Sequence, residues 1–236
     1  MSRVLAIGDV HLKPQMFDIA HRILVSRRAD MAVQMGDIVD DWGLQFAVAY
    51  YQETVNAAIK FQRQHPNTKW CMGNHDFGYY HPIPYGRNES GHSIPLEPIV
   101  ESLFKRLEKA GAHPKIAHLI DNTIFTHAGL TAEWVEKLLE GKDSALEPEE
   151  VIDTINNADL EILWKERGPL WTRPQWGDVK LWGDKLQVVG HTPVRSATKI
   201  GNLLSTDTFS TYQSGAPYGD EKMVIVDTIT GEWERV

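Results

Sequence analysis

Five short segments gather the residue types that hold metal ions. They are Gly8-Asp9-Val10-His11, Gly36-Asp37-Ile38-Val39-Asp40, Gly73-Asn74-His75-Asp76, Thr126-His127-Ala128-Gly129 and Gly190-His191-Thr192-Pro193. Carboxylates, imidazoles and one amide oxygen are borderline-to-hard ligands, suited to Mn, Fe, Zn or Mg rather than to copper or an iron–sulfur cluster. On an extended strand Asp9 and His11 would point to one side, because side chains alternate with period two. The flanking glycines permit tight turns and close backbone approach. Two divalent ions about 4 Å apart can bind one phosphate, share a bridging hydroxide and stabilise the leaving oxygen. Such a pair needs a carboxylate that touches both ions, and Asp37 is the natural candidate. One ion would then take Asp9, His11 and Asp37. The other would take Asp37, Asn74, His127 and His191.

Each segment alone has a blander explanation. Asp9 with His11, or Gly190 with His191, could simply close a strand; Asp37 and Asp40 could be solvated loop carboxylates, and Asn74 a left-handed turn residue. Five such accidents in one order make a poor explanation of the set. Other tempting residues receive structural roles. His21, His65, His113 and His118 read as polar groups of helices and strand approaches, and His81 and His92 fall in a long loop. Cys71, beside Met72 in an apolar run, reads as a buried small hydrophobe rather than a nucleophile. Trp164, Trp171, Trp176 and Trp182 could stack on a base, but anchoring their segment to a core is the preferred reading. Asp76 reads as a support for its own loop.

The segments sit at the ends of short apolar runs: Val4–Ile7, Met31–Met35, Lys69–Met72, Thr123–Phe125 and Leu186–Val189. Short, continuous and β-branched, these suit strands buried on both faces. Helical periodicity separates them, over Phe17–Arg28, Leu44–Gln64, Leu96–Ala110 and Ala132–Leu139, with Thr131 as a cap for the last. Glu147–Glu150 around Pro148 reads as a helix start. Strand–helix alternation implies an α/β layered fold, with ligand loops converging outside the carboxyl ends of the strands. Towards the C-terminus, Ser196–Ser205 and Lys222–Val236 read as antiparallel strands, the second a hairpin through Thr230-Gly231. The expectation is therefore two mixed sheets packed as a sandwich with helices outside. Residues 1–236 read as a single domain with two rim segments, a loop at 77–95 and a Trp-rich stretch at 142–178.

The five motifs, in this order, resemble those of the calcineurin-like metallophosphoesterases, and particularly the phosphoprotein phosphatase branch with its bacterial and phage members and its symmetrical dinucleoside tetraphosphate hydrolases. The resemblance covers residues 8 to 193. It implies a four-layer sandwich fold and a dinuclear site of divalent ions, manganese first, with Fe, Zn or Mg as alternatives. It implies that His75 is the general acid, oriented by Asp40, a sensible pairing because a carboxylate favours imidazole protonation near neutral pH. Leu170-Trp171-Thr172-Arg173-Pro174 resembles the stretch where small members keep a phosphate-clamping arginine, which selects Arg173. One departure stands out. The branch usually follows the second motif with Arg-Gly, and here Asp41, Trp42 and Gly43 follow it. A carboxylate in that place should weaken binding of a monoester dianion; Arg87 is the candidate to replace the missing clamp.

Composition bounds the rest. The chain has 236 residues, a net charge of −8 and one cysteine, which excludes an internal disulfide framework and suits a reducing cytoplasm. No apolar run is long enough to span a bilayer, and the strand-like run directly after Met1-Ser2-Arg3 makes a secretory signal hard to place. The acidic balance argues against nucleic acid as a partner. The expected activity is metal-dependent hydrolysis of phosphate monoesters, on a phosphoprotein or a small phosphate ester, by in-line attack of a metal-bridging hydroxide. The alternatives are a dinucleoside polyphosphate hydrolase or phosphodiesterase, and, from another class, a non-catalytic protein-binding scaffold.

Overall fold

Strand β1 (Arg3–Ile7) sets the layering through its own alternation. Leu5 and Ile7 face one apolar cluster, while Val4 and Ala6 face another on the opposite side of the sheet. A computed structural model of the chain describes residues 2–26, 28–88, 90–141, 146–177 and 179–236. In it β1 pairs in parallel with β2 (Met31–Gln34), which pairs in parallel with the short β3 (Lys69–Trp70). In the second sheet, β4 (Ala117–Ile120) lies antiparallel to β5 (Thr123–Thr126), and β5 runs parallel to β6 (Leu186–Val189). The hairpin of β7 (Thr198–Ile200) and β8 (Leu203–Ser205) extends that sheet through β6. The hairpin of β9 (Val224–Asp227) and β10 (Trp233–Arg235) returns to the first sheet, with β9 antiparallel to β1. The two sheets are thus ordered β10-β9-β1-β2-β3 and β4-β5-β6-β8-β7.

Val4, Ala6, Val33, Met35, Phe125, Val188, Leu204, Val224 and Val226 fill the space between the sheets. Their burial removes water from both inner faces, at about 1.5–3 kcal/mol for each large aliphatic side chain. On the outer face of the first sheet lie α1 (Gln15–Val25), α2 (Val48–Gln64) and α4 (Glu97–Lys109), which contribute Phe17, Tyr51, Val55, Phe61, Leu103 and Leu107. Helices α5 (Ala132–Leu138), α6 (Pro148–Asn156) and α7 (Leu160–Leu163) cover the second sheet with Trp134, Val151, Ile155 and Leu163. The result is the expected sandwich, helices outside two sheets. Cys71 is buried between the sheets, and burial pushes its thiol pKa up, so it behaves as a hydrophobe. No helix among the described residues is long and apolar enough to cross a membrane.

Several elements depart from the sequence expectation. β4 had no signal, since Ala-His-Leu-Ile lacks both alternation and a β-branched run. The rim loop at 77–95 begins inside a helix, α3 (Asn74–Tyr80), which buries Phe77 and Tyr79. The Trp-rich stretch contains α6 and α7, and Trp164, Trp171 and Trp182 pack against the outer core of the second sheet as anchors; its ends, Lys142 and Asp178, lie outside the described residues. Predicted caps hold. Thr131 Oγ1 accepts from Trp134 N at 3.3 Å, and Glu147 and Glu150 form a capping box at the start of α6.

Candidate metal centre

The five motifs meet where β1, β2, β3, β5 and β6 end, and backbone strain is concentrated there. His11, Leu12, Asp37, Asp40 and His191 all adopt left-handed φ values, between 42° and 64°. Such conformations are uncommon for residues with a Cβ and persist only when surroundings impose them. The imposing contacts are visible. The N–H groups of Val10 and His11 both donate to Asp37 O at 2.9 Å, joining the first loop to the second. His75 N donates to Asp37 Oδ1 at 2.9 Å, joining the third, and Asp76 Oδ1 accepts from Ile38 N at 2.9 Å. Gly36, at φ 101°, could carry no side chain, because a Cβ would stand 2.6 Å from the Gly73 backbone. Strand β1 ends at Ile7, so period-two alternation does not align Asp9 with His11; the left-handed turn at His11 does.

The six predicted ligands are brought together. His127 Nε2 lies 2.9 Å from Asn74 Oδ1, 3.1 Å from His191 Nδ1 and 3.4 Å from Asp37 Oδ2. His11 Nε2 lies 3.9 Å from Asp9 Oδ2 and 3.8 Å from Asp37 Oδ2. Asp37 therefore faces both groups, as a bridging carboxylate must. Tautomers follow from the backbone. His127 Nδ1 donates to Met35 O at 2.9 Å and His11 Nδ1 to Asp40 O at 2.8 Å, which leaves each Nε2 with its lone pair among oxygens. Histidine ligands characteristically donate their other ring N–H to a carbonyl in this way. His191 turns Nδ1 to this group, while its Nε2 is buried towards the Trp171 backbone, without a hydrogen bond of ordinary geometry among the described residues. Lone pairs facing carboxylates need a cation between them, and these residues fit divalent ions.

The electrostatics agree. Burial drives the His127 pKa to about 3 and that of His11 to about 4, and pushes His191 well below its ordinary value, so all three are neutral and able to ligate. Asp9 is raised well above the usual carboxylate range by burial and by the charges of Asp207 and Asp37. Such crowded buried carboxylates are costly unless a positive charge compensates. Asp207, fully buried after β8, was not singled out from the sequence; burial brings its pKa to about 6. No motif marks it, since Thr206-Asp207-Thr208 is an ordinary loop triplet. Burial also lifts Asp76 to about 6, in line with its support role.

One cleft exposes the site, lined by His11, Asp37, Asn74, His75, Arg173 and His191, and walled by Asp41, Trp42, Gly91 and Thr211. His75 Nδ1 donates to Asp40 Oδ2 at 3.1 Å, so the predicted dyad is formed. His75 also stands close enough to join His11 and Asp37 as a ligand set. Arg173 Nη1 donates to His191 O at 3.0 Å and to Thr192 Oγ1 at 3.1 Å, fixing one edge of the guanidinium at the cleft. Arg87 does not reach it: a two-pronged hydrogen bond at 2.8 and 2.7 Å commits it to Glu97. Lys13, which no motif marks, is buried behind the wall, donating to His11 O at 3.0 Å and to Asp41 Oδ2 at 2.8 Å. Asp41 Oδ1 accepts from Trp42 N and Thr211 Oγ1.

Residues 2–220 match the family model of the calcineurin-like phosphoesterases. Among solved structures, a metallophosphoesterase from Sphaerobacter thermophilus is similar over 99% of this chain and 88% of its own, with 15% identity and a TM-score of 0.43. Another solved structure is similar over 100% of this chain and 98% of its own, with 11% identity and a TM-score of 0.50, a likeness of fold. No curated protein matches the chain.

Proposed function

The chain belongs to the calcineurin-like phosphoesterases, metal-dependent hydrolases, and on that premise we propose that it hydrolyses phosphate monoesters, of a phosphoprotein or a small molecule. The observation that carries the reading is that His11, Asp37, Asn74 and His191, with the Asp40–His75 pair and Arg173, line a single cleft, while Asp9 and His127 lie buried against them. Asp9, His11 and Asp37 would hold one ion; Asp37, Asn74, His127 and His191 the other. When bound, two such ions, manganese being the first to try, would supply Lewis acidity to the phosphate oxygens and lower the pKa of a bound water.

The chain's own groups do the rest. Arg173, tethered at one edge, turns its remaining donors to the non-bridging oxygens and orients the ester for in-line attack. Its charge is secure even though burial lowers its pKa, since a guanidinium does not lose its proton in proteins. His75, anchored through Nδ1 to Asp40, carries a proton on its other ring nitrogen and gives it to the leaving oxygen as the P–O bond breaks. That role is assigned in preference to ligation because the Asp40 contact supports a protonated imidazole. Water activated at the metal site is the acceptor of the phosphoryl group in this reading; Ser210, at the cleft wall, donates its hydroxyl to Asp207 Oδ2 at 2.8 Å and is given no nucleophilic role.

One observation favours a second reading, cleavage of diesters or dinucleoside polyphosphates. Asp41 neutralises Lys13 at the cleft wall, 2.8 Å away, which leaves less positive charge for a dianion. Burial alone would raise the Asp41 carboxyl, but the Lys13 ammonium brings it below its ordinary value, so the pair is ionised. Manganese-supported rates on p-nitrophenyl phosphate and bis(p-nitrophenyl) phosphate separate the two. The proposal expects a higher kcat/KM for the monoester. A clear diester preference transfers the assignment to the second reading, and inactivity on both in metal-loaded protein leaves only a binding scaffold.

A further inference from the structure

The partners of Asp40 extend beyond His75. Its carboxylate is divided between two tasks. Oδ2 accepts from His75 Nδ1, whereas Oδ1 accepts from two tyrosine hydroxyls, Tyr51 Oη and Tyr79 Oη, each at 2.7 Å. Tyr51 comes from α2 and is fully buried, and Tyr79 comes from α3, one helical turn after His75, with 2% exposure. Both are donors here. Burial and then the Asp40 charge push their phenol pKa values up, so the hydroxyls keep their protons. Tyr79 Oη in turn accepts the backbone N–H of Ser93 at 2.9 Å, and the His92 ring stacks on the Tyr79 ring at 4.3 Å. Ser93 belongs to the rim segment whose Ser90 and Gly91 line the cleft.

A phenylalanine in either place would fill the same volume without carrying a buried hydroxyl that needs a partner. Both hydroxyls find that partner in the same carboxylate oxygen. Two such bonds fix the rotation of the Asp40 carboxylate and so fix where its other oxygen meets His75. Hydrogen bonds to an ionised acceptor are the strong and directional ones. We infer that Tyr51 and Tyr79 are positioning residues for proton delivery, holding Asp40 so that Asp40 holds His75, with Tyr79 linking this row to the rim of the cleft. They pass no proton themselves. The inference rests on the reading of His75 as the acid that protonates the leaving oxygen.

The test uses leaving groups of different acidity in the manganese-loaded full chain. Phenyl and 2,4-dinitrophenyl esters of whichever class the wild type prefers are compared in Tyr51→Phe, Tyr79→Phe, the double variant and His75→Asn. A dinitrophenolate leaves without a proton; a phenolate needs one. In the double variant kcat on the phenyl ester should fall about 10-fold with little change in KM, and the fall on the dinitrophenyl ester should be several-fold smaller. His75→Asn should have the same selectivity, more strongly. Should the double variant not fold, the single variants carry the same comparison. Equal losses on the two esters, or no loss, overturn the inference alone if His75→Asn still discriminates. If His75→Asn does not discriminate, or the wild type cleaves neither ester, the functional reading fails and the inference falls with it.

Discussion

At the scale of the residue, the chemistry rests on which nitrogen or oxygen faces which. His11 and His127 spend Nδ1 on backbone carbonyls and keep Nε2 for the site, whereas His75 spends Nδ1 on a carboxylate. On the proposed reading the same side chain would be a ligand in two places and an acid in the third. His75→Asn should lower kcat on the preferred aryl phosphate by roughly 10²–10⁴-fold, with KM changed far less; steady-state kinetics measure both, and a variant that keeps wild-type kcat contradicts the role. The candidate ligands were legible in the sequence because residue types and order sufficed to pick them out. Tyr51, Tyr79, Lys13 and Asp207 were not legible. Tyr51 and Tyr79 sit on helices where an aromatic reads as core packing, and Lys13 is an isolated charge until Asp41 is seen 2.8 Å from it.

At the scale of the element, turns matter more than strands. The site hangs on left-handed residues after β1, β2 and β6, and on glycines that let neighbouring loops touch. Gly36→Ala should cost at least about 1–2 kcal/mol from its backbone conformation alone. The added Cβ would also press on the Gly73 backbone beside Asn74, so denaturant melts should reveal lost stability together with weaker metal binding; a variant with unchanged midpoint and metal affinity contradicts this account. The rim segment offers a pH test. Arg87, through its hydrogen bonds, brings the Glu97 carboxyl down to about 2. A carboxyl depressed on folding contributes stability above its unfolded pKa of about 4.5 and loses it as pH falls towards 2. Wild type and Glu97→Gln should therefore differ in melting temperature near pH 7, by a small amount because solvent screens the half-exposed arginine, and converge only as pH falls below about 2. Strand positions were readable from apolar runs, and the hairpin at Thr230-Gly231 from its turn residues. β4 and α3 were not, because Ala117–Ile120 takes its conformation from pairing with β5, and α3 opens on motif residues that read as a loop.

At the scale of the whole molecule, the two sheets share one end, and both contribute to the candidate ligand set, four residues from one and two from the other. Asp9, His11, Asp37 and Asn74 follow strands of the first sheet; His127 and His191 follow strands of the second. Bonds cross the sandwich at this end: His127 Nδ1 to Met35 O, and His191 N to Asp9 Oδ2 at 2.9 Å. This convergence was predictable from strand–helix alternation, whereas the depth of burial that drives the His127 pKa to about 3 required the packed structure. The centre therefore needs both sheets in register, and function is inseparable from cations that offset its buried carboxylates. The most direct test titrates chelator-treated protein with manganese while following p-nitrophenyl phosphate hydrolysis, beside Asp37→Asn, which removes the carboxylate proposed to bridge the ions. The account predicts no hydrolysis before manganese, a rise that saturates with it, and almost none in the variant at any concentration. Hydrolysis that survives the chelator, or a variant as active as the wild type, would contradict it.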